Sequence, residues 1–152
     1  MEEASDKRLH LASIDIDALA EALRRGGDAY LDPATGRIHD YRDEAGDEAI
    51  RIESGSGGSY SEIQAFVDHV SDPALKDELE DALDGHRLFR DVGDVIKEAP
   101  ERIRTAWAEY RQTEAKLRAL SWLESTGLVP QSEIDAERAT LQAAAASSLG
   151  NL

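Results

Sequence analysis

Apolar residues recur along this chain with two spacings, and the switches between them mark out the elements. Ile14, Ile16, Leu19, Ala20 and Leu23 share one face of a helix. Asp15 is placed to cap it, its carboxylate accepting from the first free amides, with Ile14 and Leu19 as the halves of a hydrophobic staple. Gly26-Gly27 ends it, because glycine takes the left-handed conformation without a Cβ clash. Ala29–Leu31 and Arg37–Tyr41 then predict two short strands around Asp32-Pro33-Ala34-Thr35-Gly36. Pro33 presets φ at the turn, Gly36 supplies a positive φ, and Asp32 bonds forward to turn amides. Over Glu48–Glu53 the alternation places Ile50 and Ile52 together, which predicts a third, half-buried strand.

After a Gly/Ser connector at Ser54–Gly58 the helical period returns. Ser59-Tyr60-Ser61-Glu62 fits a capping box ahead of a face made by Tyr60, Ile63, Phe66, Val67 and Val70. Asp72 caps the next helix with Pro73 at its first position, and Leu75, Leu79, Ala82 and Leu83 form its stripe up to Gly85. Leu88, Phe89, Val92, Val95 and Ile96 predict another, ending near Ala99-Pro100. A long helix follows from Glu101 to Ser125, with Ile103, Trp107, Tyr110, Leu117, Leu120 and Leu123 toward a core and Gly127 as its stop. A last helix starts at Ser132; its apolar face is thin (Ile134, Leu141) and otherwise alanine, so it is expected to dock loosely or to engage another chain.

The fold class expected is α+β: a small antiparallel sheet of about three strands covered by an N-terminal helix and about four or five following helices. Residues 12–128 read as a single domain, with a flexible tail over 1–11 and an Ala-rich, helical extension over 129–152.

These segments, in this order, carry a resemblance. Tyr30-Leu31-Asp32-Pro33-Ala34-Thr35-Gly36-Arg37-Ile38 resembles the Tyr-Leu-Asp-x-x-Thr-Gly-x-Val opening of the bacterial Uncharacterised Protein Family 0158. The similarity continues through Tyr60–Asp72, with Phe66 in the family's helix, and through Ala82-Leu83-Asp84-Gly85-His86-Arg87-Leu88-Phe89-Arg90. Trp107 with Tyr110, and Trp122-Leu123, extend it, so that it covers roughly residues 14–128. The resemblance implies an α+β domain of unassigned function and brings no catalytic residues. The chain departs from the family at Ile52-Glu53, where relatives tend to have Ile-Pro. It departs again at Asp91-Val92-Gly93-Asp94, where they tend to have Arg-Phe-Lys-Asp, which halves any basic patch there.

Charge narrows the function classes. The formal net charge is −15 over 152 residues. Such a surface repels nucleic-acid phosphates and anionic lipid, so direct nucleic-acid binding is disfavoured. The chain has no cysteine, which excludes a disulfide framework, a zinc ribbon and a cysteine nucleophile. Met1-Glu2-Glu3-Ala4-Ser5-Asp6 is acidic and carries no secretory signal, and no apolar run approaches the roughly 20 residues of a membrane span. A cytoplasmic protein with no membrane contact is expected.

Candidate chemistry is sparse. His10, His39, His69 and His86 show no metal-ligand spacing, so no metal or cofactor is expected and surface or structural roles suit them better. There is no nucleophile elbow, phosphate loop or dinucleotide fingerprint; Gly55-Ser56-Gly57-Gly58 precedes a helix but lacks the lysine of a phosphate loop. No catalytic residue is assigned. Asp77, Glu80, Asp81 and Asp84 share one helix face, which suits solvation, or else a cation site, docking of a basic partner or phosphate mimicry. His86, Arg87, Phe89, Arg90, Trp107 and Tyr110 form a candidate recognition patch, the alternative being that the aromatic residues belong to the core. Three functions are therefore entertained. The first is a non-enzymatic protein-interaction or regulatory module whose partner is unknown. The second is an acidic mimic of nucleic acid, of the antitoxin or nuclease-inhibitor type, binding a basic protein. The third is an enzyme with a site dispersed around His86. Self-association through a sheet edge or through Ala143–Ala146 is a further expectation.

Overall fold

The computed structural model describes residues 9–25, 29–52 and 60–152. The Gly26-Gly27 stop, the Ser54–Gly58 connector and the Ser59 cap lie outside the described residues. The fold is α+β, with one three-stranded antiparallel sheet. The chain divides into two compact units, Met1–Gly57 with Ala115–Leu141, and Gly58–Glu114 with Gln142–Leu152.

The first unit holds the sheet. A 3-10 turn at Leu11–Ser13 leads into α1 (Ile16–Arg25), where Asp15 does cap: its Oδ1 accepts from Ala18 N–H at 3.1 Å. Ile14 and Leu19 are both buried in the unit's core, as a staple requires. β1 (Tyr30–Leu31) is the central strand, antiparallel to β2 (Ile38–His39) and to β3 (Ile50–Arg51), with Leu31 opposite Ile38 on one side and Ile50 on the other. The hairpin between β1 and β2 is closed by Asp32. Its N–H donates to Arg37 O at 2.9 Å, its Oδ1 accepts from Ala34 N–H at 2.9 Å, and its Oδ2 accepts from Thr35 Oγ1 at 3.1 Å. Gly36 takes φ 81°, as the turn demands.

The strands are shorter than the alternation predicts. After His39 the chain turns into a short helix, α2 (Arg42–Ala45), stopped by Gly46 at φ 96°, so Asp40 and Tyr41 leave the ladder. Ile52 is fully buried and its N–H still reaches Ala29 O at 2.8 Å, just beyond β3. Leu9 to Leu11 are tied down: Leu9 N–H donates to Leu128 O at 2.8 Å and Leu11 N–H to Glu133 Oε1 at 2.7 Å.

Two helices contribute to both units. α6 (Glu101–Thr126) supplies Ala119, Leu120 and Leu123 to the core of the first, and ends at Gly127 with φ 71°. α7 (Gln131–Gly150) supplies Ile134 and Leu141. Arg138 on α7 meets Glu124 on α6 at 2.7 Å and Asp135 at 3.6 Å; that guanidinium, with Gln131, holds the Glu124 carboxyl below the usual carboxylate range.

In the second unit, α3 (Tyr60–Asp68), α4 (Pro73–Leu83) and α5 (Leu88–Lys97) bury one stripe each. Asp72 caps α4 by accepting from Ala74 N–H at 3.1 Å, with Pro73 at its first turn. Ile103, Ala106 and Tyr110 of α6 complete this core with Ala145 and Leu152, and Ser71 Oγ donates to Leu152 O at 2.7 Å. Among the described residues, every buried side-chain nitrogen and oxygen has a hydrogen-bond partner.

Candidate interaction surfaces

Capping fixes α4, and its apolar stripe (Leu75, Leu79, Ala82, Leu83) faces the core, so Asp77, Glu80, Asp81 and Asp84 emerge together on the exposed side. None of the four pairs with a cation among the described residues.

The residues of the candidate recognition patch separate by burial. His86 lies exposed in the turn between α4 and α5, and Arg87 and Arg90 are exposed at the start of α5. Phe89 stands in the first turn of α5, its side chain outside the described part. Trp107 and Tyr110 turn inward to Phe66. The Trp107 ring meets Phe66 edge-on at 4.8 Å between centroids, and the Tyr110 ring lies 5.6 Å away, tilted. Arg111, one turn along α6, sits 5.3 Å from the Trp107 ring centroid. Tyr110 is 3 % exposed, and its hydroxyl donates to Glu62 O at 2.7 Å. Burial, with Glu114 and Glu62 nearby, pushes its pKa up to about 12, so the hydroxyl stays neutral.

The remaining histidines are scattered. His10 contacts Glu133, His39 lies half-buried in β2, and the His69 ring donates to Ala65 O at 2.7 Å. Among the described residues no three acidic or histidine side chains stand together to hold a metal ion. Among them, no helix is long and apolar enough to cross a membrane.

The first unit also carries a groove that the sequence reading did not anticipate. It is open, about 470 Å³ in volume, and runs between Leu11, Ala12 and Ile16 on one side and Glu133, Ala136, Glu137 and Thr140 of α7 on the other. Glu133 builds it: Oε1 accepts Leu11 N–H at 2.7 Å, and Oε2 contacts His10 Nδ1 at 2.9 Å. The Leu11 amide, followed by His10, holds the Glu133 carboxyl below the usual carboxylate range. The only advance signal is the pair of leucines, Leu9 and Leu11, in a segment read as a tail. A second groove of about 400 Å³, lined by Glu101, Arg102, Thr105, Ala106, Glu109 and Asn151, belongs to the other unit. No protein-family model matches this chain, and neither does any curated protein or solved structure.

Proposed function

We propose that the protein is a non-enzymatic interaction or regulatory module of the bacterial cytoplasm, a member of Uncharacterised Protein Family 0158, that docks a basic protein on α4. The exposed, unpaired face of Asp77, Glu80, Asp81 and Asp84 is the observation that supports this reading. A capped, packed helix orders the backbone beneath these carboxylates before they bind, and their charge steers a cationic partner from a distance. The dispersed-site enzyme gains no support from an exposed His86 and a Tyr110 hydroxyl already bonded to a main-chain oxygen.

The test compares two variants of equal net charge. One neutralises Asp77, Glu80, Asp81 and Asp84; the other neutralises Asp43, Glu44, Asp47 and Glu48. Capture from host lysate at low salt should recover a stoichiometric basic partner with the wild type and the second variant, and lose it with the first. Equal loss in both, or turnover in an activity screen with no partner, would overturn the reading. Displacement of the protein from that partner by duplex DNA would identify the interaction as nucleic-acid mimicry.

A further inference from the structure

We propose that the groove between Leu11 and α7 is a docking site for a basic amphipathic helix of another protein. It uses a surface other than the α4 face, so either proposal can fail alone.

Three observations converge on this occupant. The lining is apolar at Leu11, Ala12 and Ile16 on one side and at Ala136 on α7. Thr140 also lines the α7 side, but its hydroxyl donates to Ala136 O at 3.2 Å, so its hydrogen is not offered to a ligand. Every charged residue lining the groove is an acid. Glu133 and Glu137 stand one turn apart on α7, where like charges repel, and Glu137 has no ion-pair partner among the described residues. Glu133 already holds Leu11 N–H and His10, so a lysine or arginine lodged over Glu137 would relieve that repulsion, and Leu11 N–H bound to Glu133 keeps the walls in place beforehand.

Shape then selects the class. A small molecule is held where roughly 70–90 % of its surface is enclosed, which an open groove does not provide. One side of a helix needs only an open trough: apolar anchors a turn apart enter it while the flanking residues stay outside. A second copy of this chain, itself at −15, would bring acid against acid.

The experiment uses the full chain and a fluorescein-labelled Leu/Lys amphipathic peptide, read by anisotropy at physiological ionic strength. An oligolysine and a Leu/Glu peptide of the same pattern are the controls. Ala136→Trp fills the groove and Glu137→Lys reverses its rim; thermal melts check that both fold. The Leu/Lys peptide should bind, and each substitution should weaken it at least ~10-fold, while neutralising the four α4 carboxylates changes it by less than ~3-fold. Should Ala136→Trp fail to fold, Glu137→Lys and Glu137→Gln carry the comparison. Absence of Leu/Lys binding would overturn the proposal, as would equal binding of oligolysine or wild-type affinity in the groove variants. A dimer in sedimentation that Ala136→Trp dissociates would assign the groove to a second copy and overturn it too.

Discussion

The Tyr110 hydroxyl donates to the main-chain oxygen of Glu62 at 2.7 Å, fastening α6 to the first turn of α3 beside the Phe66 ring. Tyr110→Phe keeps the ring packing and removes only this bond, so it should cost about 1 kcal/mol, whereas Tyr110→Ala should cost about 3–5 kcal/mol. The pH dependence has a definite sign. The folded pKa, about 12, stands above the ordinary value of 10.0, so the folded state holds the proton more tightly. Its stabilising contribution is complete below pH 10 and is lost as pH rises through about 12. Urea midpoints across the alkaline range should fall more steeply for wild type than for Tyr110→Phe.

Gly36 combines two constraints. Its φ is 81°, and a Cβ there would lie 2.7 Å from the main-chain oxygen of Ser13. Neither backbone can yield cheaply, so Gly36→Ala should cost about 3 kcal/mol or more. Gly127 shares the conformation (φ 71°), but a Cβ there would meet nothing within 4 Å, so Gly127→Ala should cost about 1–2 kcal/mol. Equal urea midpoints for the two variants would mean that the close approach to Ser13 does not matter.

What sequence could disclose here follows the range of each interaction. The caps at Asp15 and Asp72, the Asp32 hairpin and the Gly127 stop depend on neighbours a few residues away, and all were readable. α2 was not: Arg42-Asp43-Glu44-Ala45 is one turn with a single apolar residue, too short for a period. α6 misled for a different reason. It buries Ile103, Ala106 and Tyr110 in one core and Ala119, Leu120 and Leu123 in another, and these sets do not continue a single stripe. Leu117, expected to be core, is only partly buried in consequence. Charged candidates such as Arg87 and Arg90 could be placed outside on general grounds, and the helical period already turns Trp107 and Tyr110 toward a core, but it does not tell that Phe66 is what they meet there. The groove was beyond reach, since Leu11 and Glu133 meet across 122 positions of chain.

Glu133 makes that long-range contact measurable. With one oxygen on Leu11 N–H and the other on His10, Glu133→Ala should release the Leu11 amide, seen as at least ~10-fold faster hydrogen exchange. Because the folded pKa is lowered, the contribution is present above the usual carboxylate value of 4.5 and disappears as pH falls through the lowered one. Protection factors at Leu11 should therefore drop on acidification in wild type and be flat in Glu133→Ala. A Leu11 amide equally protected in both proteins would show that something other than Glu133 fixes the segment.

The C-terminal helix sets propensity against packing. An alanine-rich segment of 20 residues forms helix readily but is marginal in water by itself, so its place in the fold must come from what it buries. Ile134, Leu141, Ala145 and Ser148 fall at successive multiples of the helical repeat and are all buried, while Ala139, Ala143 and Ala146 face out. Of the buried four, Ile134 is 0 % exposed and Leu141 is the only other large aliphatic. Ile134→Ala should cost about 2–5 kcal/mol, since a cavity opens in that core, whereas Ala143→Glu should stay within about 0.5 kcal/mol. Circular dichroism during urea unfolding reads both. If the two substitutions behave alike, the helix is held by its propensity alone and its inward stripe contributes nothing.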